Sequence, residues 1–109
     1  MDIHFTARRF KAHRDVRDYA MEAIKKLDKY YDGIVRSDII LSFERRTNSV
    51  KSAEVILRVD KATLSARERS EDFVKSLDLA LGKLERQLEK HKTKTRKKDK
   101  KALRNVKGK

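Results

Sequence analysis

The chain of 109 residues has no cysteine, no proline and no tryptophan, and only three glycines. Without cysteine it can form no disulfide and no thiolate metal site, which suits a reducing compartment, and the cytoplasm is the expected location. Without proline, and with the glycines isolated at 33, 82 and 108, there is no rigid linker and no Gly-rich phosphate loop. No apolar run approaches the ~18 residues of a membrane span, and the opening MDIHFTARRF lacks the apolar stretch of a signal peptide. Aromatic residues make up only 6% of the chain and form no RNP-type run, so base-specific readout of nucleic acid is not expected.

What the chain has in abundance is positive charge. It carries 30 Lys and Arg against 17 Asp and Glu, a net +13, with a pI near 10.2. Such a balance points to nucleic acid before it points to an anionic membrane surface. The excess is uneven. Residues 92–109, KTKTRKKDKKALRNVKGK, hold ten basic residues and one Asp and so contribute +9, whereas residues 1–91 hold twenty against sixteen and contribute +4. The reading is therefore one domain over residues 1–91 and a basic, disordered tail over 92–109. The tail serves either as a solubilising end or as an arm that lies along RNA phosphates.

Residues 2–8 alternate with Ile3, Phe5 and Ala7 on one side, a half-buried strand. From about residue 14 to 31, Val16, Tyr19, Ala20, Ala23, Ile24, Leu27, Tyr30 and Tyr31 recur at helical spacing, and the tyrosines read as core or core-edge packing rather than base-stacking platforms. Asp15 and Asp18 near the start and Lys25, Lys26 and Lys29 near the end suit the helix dipole, and Gly33 is the expected left-handed stop. Strands follow at 38–44, 53–59 and 62–68, with a polar loop at 45–51 and a tight turn at Asp60-Lys61. A loop centred on Asn48 would pair Leu41 with Val55 and Ile40 with Ile56. Ser70 is the expected N-cap of a last helix from Phe73 to Lys90. A parallel first pair of strands needs the first helix as its crossover, and the later strands join as hairpins. The fold class is α+β, a two-layer β-α-β-β-β-α domain with a four-stranded sheet and both helices on one face.

The last helix is the most informative element. Phe73, Leu77, Ala80, Leu81, Leu84 and Leu88 share one stripe; Asp78, Glu85 and Glu89 line one flank, and Lys75, Lys83, Arg86 and Lys90 form a separate line. A stripe of Lys83, Arg86 and Lys90 running into Lys92 and Lys94 suits a polyanion, and Lys25, Lys26 and Lys29 of the first helix could merge into the same patch. Enzymatic readings are thin. His4, His13 and His91 have no carboxylate or second histidine at a suggestive spacing, so a His-dependent ribonuclease is the weakest alternative.

The run Ser70-Glu71-Asp72-Phe73, then Ser76-Leu77-Asp78, then Lys83-Leu84-Glu85-Arg86-Gln87-Leu88-Glu89-Lys90 with Lys92 and Lys94, resembles the signature of bacterial ribosome hibernation-promoting factors and ribosome-associated inhibitors. Weaker matches at Ile3 through Arg8, Leu27 to Tyr31 and Ile39-Ile40-Leu41-Ser42 extend the resemblance over residues 1–95. It implies a domain shaped like double-stranded-RNA-binding domains, with no catalytic activity, cofactor or metal. It also implies binding in the small ribosomal subunit's channel between head and body, over the decoding region, which silences idle ribosomes. The implied RNA-binding residues are Lys83, Arg86, Lys90, Lys92 and Lys94, with Lys25 and Lys29 from the first helix and Arg8 and Arg69 at the sheet edge, to which the merged patch adds Lys26; Asp72 is a helix-start residue. Departures are Gly82 where a polar residue is usual and His13 where a Ser or Thr cap is usual. The dimerisation domain of long-form members has no counterpart here, so ribosome pairing would need a separate partner. The remaining alternative is a general double-stranded-RNA-binding module, which the Ser-Glu-Asp start of the last helix disfavours.

Overall fold

A computed structural model describes residues 1–44 and 50–107, with side chains given through Lys92. Six elements follow one another: β1 Asp2–Ala7, α1 Arg14–Tyr30, β2 Ile34–Phe43, β3 Lys51–Val59, β4 Ala62–Ser70 and α2 Phe73–Lys107. The sheet order is β1-β2-β3-β4, with β1 parallel to β2 and the other pairs antiparallel. This is the expected α+β arrangement. The parallel pair forces α1 to act as the crossover, and the hairpins bring α2 back over β3 and β4 while α1 covers β1 and β2.

Alternation then sorts the strands' side chains. Ile39, Leu41, Ala53, Val55, Leu57 and Val59 turn toward the helices and are buried with Ala20, Ile24 and Leu27 of α1 and Leu77, Ala80, Leu84 and Leu88 of α2. Full burial of each large aliphatic side chain contributes about 1.5–3 kcal/mol. The opposite face, with His4, Arg36, Ile40, Glu54, Ile56 and Arg58, has no helix over it among the described residues. Ile40 pairs with Glu54 and Leu41 with Ala53, two residues from the expected register, so the β2–β3 loop is centred on residue 47 rather than 48. Ile40 and Ile56 are thereby diagonal rather than opposite. The rest of that loop, with Arg45, Arg46 and Asn48, lies outside the described residues.

His13 caps α1 through Nδ1, which accepts the Asp15 N–H at 3.3 Å. Ser70 is not the cap of α2; it ends β4, and Asp72 takes that place by accepting the Lys75 N–H at 3.2 Å. The Ser70 hydroxyl instead meets that of buried Ser76 at 2.7 Å, and Ser76 donates to the Lys51 carbonyl at 2.7 Å, which ties the start of α2 to β3.

Gly33 is not a left-handed stop, since no glycine among the described residues has positive φ; Tyr31 ends α1 in extended backbone. Glycine is needed at 33 for space, because an added Cβ would lie 2.7 Å from the Tyr31 ring. At the other end of the chain α2 does not stop near residue 91. Its backbone is helical to Lys107, where the sequence reading expected a disordered tail, because residues 92–107 contain no glycine or proline and nine of the sixteen are Lys or Arg, both good helix formers.

Candidate nucleic-acid interface

At 100° per residue the two polar flanks of α2 point in different directions, and the fold assigns each a neighbour. The acidic flank faces α1. Tyr19 donates its hydroxyl hydrogen bond to Asp78, and Tyr30 donates to Glu89. The bond to Asp78 pushes the Tyr19 hydroxyl above the usual tyrosine pKa, aided by burial and by the carboxylate's charge; Glu89 does the same to Tyr30. Tyr19 and Tyr30 are thus exposed bridging residues, while Tyr31 is the one that packs on the core. A groove runs along this seam between Tyr19, Glu22, Tyr30, Asp78, Gly82 and Glu85, and Lys26 also lines it.

The basic flank faces the β4 side and solvent. Lys83 pairs with Glu68 of β4, and Gln87 one turn on donates to the Ser65 carbonyl at 2.9 Å. Arg86 and Lys90 are exposed and make no ion pair among the described residues. Lys92 lies 5.5 Å from the centre of the Tyr30 ring, and with Lys29 and Tyr31 it lines a shallow depression at the end of α1. The side chain of Lys94 lies outside the described residues.

The ten candidate residues therefore do not form one sheet of charge. Lys83, Arg86 and Lys90 lie together on α2, and Lys29 meets Lys92. Lys25 is exposed on α1 at 3.8 Å from Glu22, and Lys26 faces the acidic seam. Arg8 follows β1 on one edge of the sheet, and Arg69 belongs to β4 on the other, 3.8 Å from Glu44. By strand alternation both belong to the face away from the helices.

That open face has its own arginines, and most are matched. Arg36 holds Asp38 through two hydrogen bonds of 3.0 and 3.1 Å, which pull the Asp38 carboxyl below its usual range. Arg67 reaches Ser52 and Glu44, each at 3.1 Å. His4 lies on this face, His13 is occupied at the α1 cap, and His91 stands edge-on to Tyr31 at 6.0 Å. Arg9, Lys11, Arg14 and Arg17, around the β1–α1 connection, were not singled out by spacing. The signal was there in the run RRFKAHRDVR, which has no periodic motif but an unusual charge density.

The likenesses to known proteins agree with the fold. A ribosome hibernation promotion factor from Staphylococcus aureus is 33% identical over 97 residues, covering 83% of this chain and 51% of that protein. The chain thus spans about half the length of that curated relative. A ribosomal subunit interface protein from Coxiella burnetii superposes with a TM-score of 0.77 at 25% identity, covering 85% of this chain and 99% of the other. The N-terminal domain of Thermus thermophilus Protein Y superposes with a TM-score of 0.72 at 24% identity, covering 84% and 99%, which speaks to the fold alone. Residues 3–96 match the profile of the Sigma 54 modulation protein / S30EA ribosomal protein family, and the chain belongs to that family.

Proposed function

We propose that this chain is a non-enzymatic factor that silences idle ribosomes by occupying the messenger- and transfer-RNA channel of the small ribosomal subunit. The observation that carries this reading is the division of α2. Tyrosines of α1 occupy two of the three acids on one flank, and among the described residues the line of Lys83, Arg86 and Lys90 on the other meets a single acid, Glu68. A cationic line on a rigid helix, without a stacking platform, reads phosphates and shape rather than base sequence. Family membership directs that chemistry to the ribosome. Lys29 and Lys92 extend the contact beyond the seam, and the continuation of α2 to Lys107 carries the helix's cationic sequence away from the domain.

The general duplex-binding alternative fits less well, because the start of α2 presents Glu71 and Asp72, and Asp72 is engaged as the cap. The test is co-sedimentation with purified small subunits at increasing salt. Binding should fall linearly in log–log form, with a slope set by the number of phosphates engaged. Absent or salt-insensitive binding ends the proposal, and equal affinity for a plain RNA duplex transfers it to the alternative.

A further inference from the structure

The β1–α1 connection and the first turn of α1 together contain more charge than their length suggests. Residues 8–17 hold five basic residues and one acid, a net +4, which equals the whole excess of residues 1–91. The rest of the domain is neutral in sum. This charge is displayed rather than paired. Arg8, Arg9, Lys11 and Arg17 are exposed and have no ion pair among the described residues, and Arg14 is 3.9 Å from Asp18.

The connection is also held in one shape. The Arg8 N–H donates to the Leu41 carbonyl at 2.9 Å. Phe10 stacks on Phe73 with ring centres 5.2 Å apart and 3° between planes, and meets the edge of Phe43 at 4.9 Å. Between these two anchors Arg9 has φ of 63°, the left-handed region where glycine or asparagine is the unstrained choice. An arginine placed there against local preference, in a turn fixed at both sides, is aimed outward by the fold.

The location matters as much as the charge. Lys11, Arg14, Arg17 and Lys25, with Asp18 and Glu22 among them, line a depression on the flank of α1 to which no α2 residue contributes, so basic side chains outnumber acids there by four to two. The acidic seam lies between this flank and the basic stripe of α2. We infer that the β1–α1 turn and the outward flank of α1 form a second RNA-phosphate surface, so that one chain grips two separate segments of ribosomal RNA. The inference rests on the reading of this chain as a ribosome binder. Guanidinium groups match phosphate oxygens with two parallel bonds. A membrane surface is a poorer match, because half-buried Met21 is the one sizeable apolar side chain in that depression.

The experiment compares three full-length proteins on purified small subunits: wild type, R8Q/R9Q/K11Q/R17Q and K83Q/R86Q/K90Q. The readouts are affinity against salt and hydroxyl-radical footprinting of the rRNA. Wild type should protect two separated segments. The turn variant should lose one and keep the other, bind about tenfold or more weakly, and show a salt slope shallower by up to about four. The α2 variant should lose the complementary segment. A turn variant with wild-type slope and footprint overturns the second surface and leaves the ribosome-binding reading standing; no binding by wild type removes both. Should the turn variant melt early, R9G decides. It relieves the backbone while deleting one charge, so the melting temperature holds or rises as the slope becomes shallower by about one; an unchanged slope overturns the inference.

Discussion

The two flanks of α2 carry similar numbers of charges and have opposite fates. Asp78, Glu85 and Glu89 look toward α1, where Tyr19 and Tyr30 bind two of the three. Lys83, Arg86 and Lys90 look the other way, where among the described residues only Glu68 answers them. The lesson is that segregation along a helix has two distinct causes. One flank is acidic because a neighbouring helix offers hydroxyl donors, and this serves the fold. The other is basic and, among the described residues, has one acidic partner, Glu68, which is what the proposed polyanion surface would require.

Breaking this comparison has its largest effect on the basic side. Replacing Lys83, Arg86 and Lys90 by Gln should weaken binding to small subunits by roughly a hundredfold near 0.1 M salt and flatten the salt slope by about three, since each charge neutralises about one phosphate. Thermal stability should change little, because Arg86 and Lys90 are unpaired among the described residues and a solvent-screened pair such as Lys83–Glu68 contributes on the order of 1 kcal/mol. The matching variant on the acidic side, D78N/E89Q, should leave binding intact or slightly stronger. Equal losses in both variants would mean that the flanks are not functionally distinct.

How much of this was legible beforehand follows from which interactions are local. The order of elements, the α1 and α2 stripes and the His13 position could be read directly, because periodicity depends on neighbours three or four residues away. The β2–β3 register shifted by two because strand alternation fixes the face but not the partner; Ile40 is outward in either register. Ser70 and Asp72 exchanged roles because both are good caps, and only the position of β4 decides which one remains in the strand. The candidate patch divided for a similar reason. Helical spacing put Lys26 and the α2 lysines on polar faces, but the seam of Tyr19, Tyr30, Asp78 and Glu89 is made of contacts 59 residues apart. The charge of residues 8–17 can be counted in the sequence, but it spans a turn, where no period organises it into a face.

A smaller effect tests the boundary between the flanks. Gly82 lines the seam groove in the middle of α2, and a methyl group there would meet nothing within 4 Å. G82A should stabilise the domain by about 1 kcal/mol through helix propensity alone, seen as a raised denaturation midpoint with unchanged slope. Because the acidic side occupies this groove, affinity for small subunits should not change. A stabilised variant that binds less well would instead assign Gly82 to a close approach by RNA.

The smallest expected effect is on the seam itself. Tyr19 and Tyr30 have folded-state pKa values above the ordinary tyrosine value, principally because their hydroxyls donate to carboxylates. A proton held more tightly in the folded state stabilises that state. The contribution is complete below the unfolded pKa, near 10, and is lost as pH rises through the higher folded values. Replacing Tyr19 by Phe should cost about 0.5 kcal/mol at neutral pH, the order of one solvent-screened hydrogen bond. The decisive measurement is a difference, because lysines also titrate in this range and contribute to both proteins. The stability of wild type minus that of Y19F/Y30F should be positive and constant up to about pH 10 and then decline. A difference that is zero throughout would mean that the hydroxyls do not bind the acids. In that case α2 would hold three free carboxylates beside its basic line, and the clean separation of the flanks, on which its reading as an RNA surface depends, would be lost.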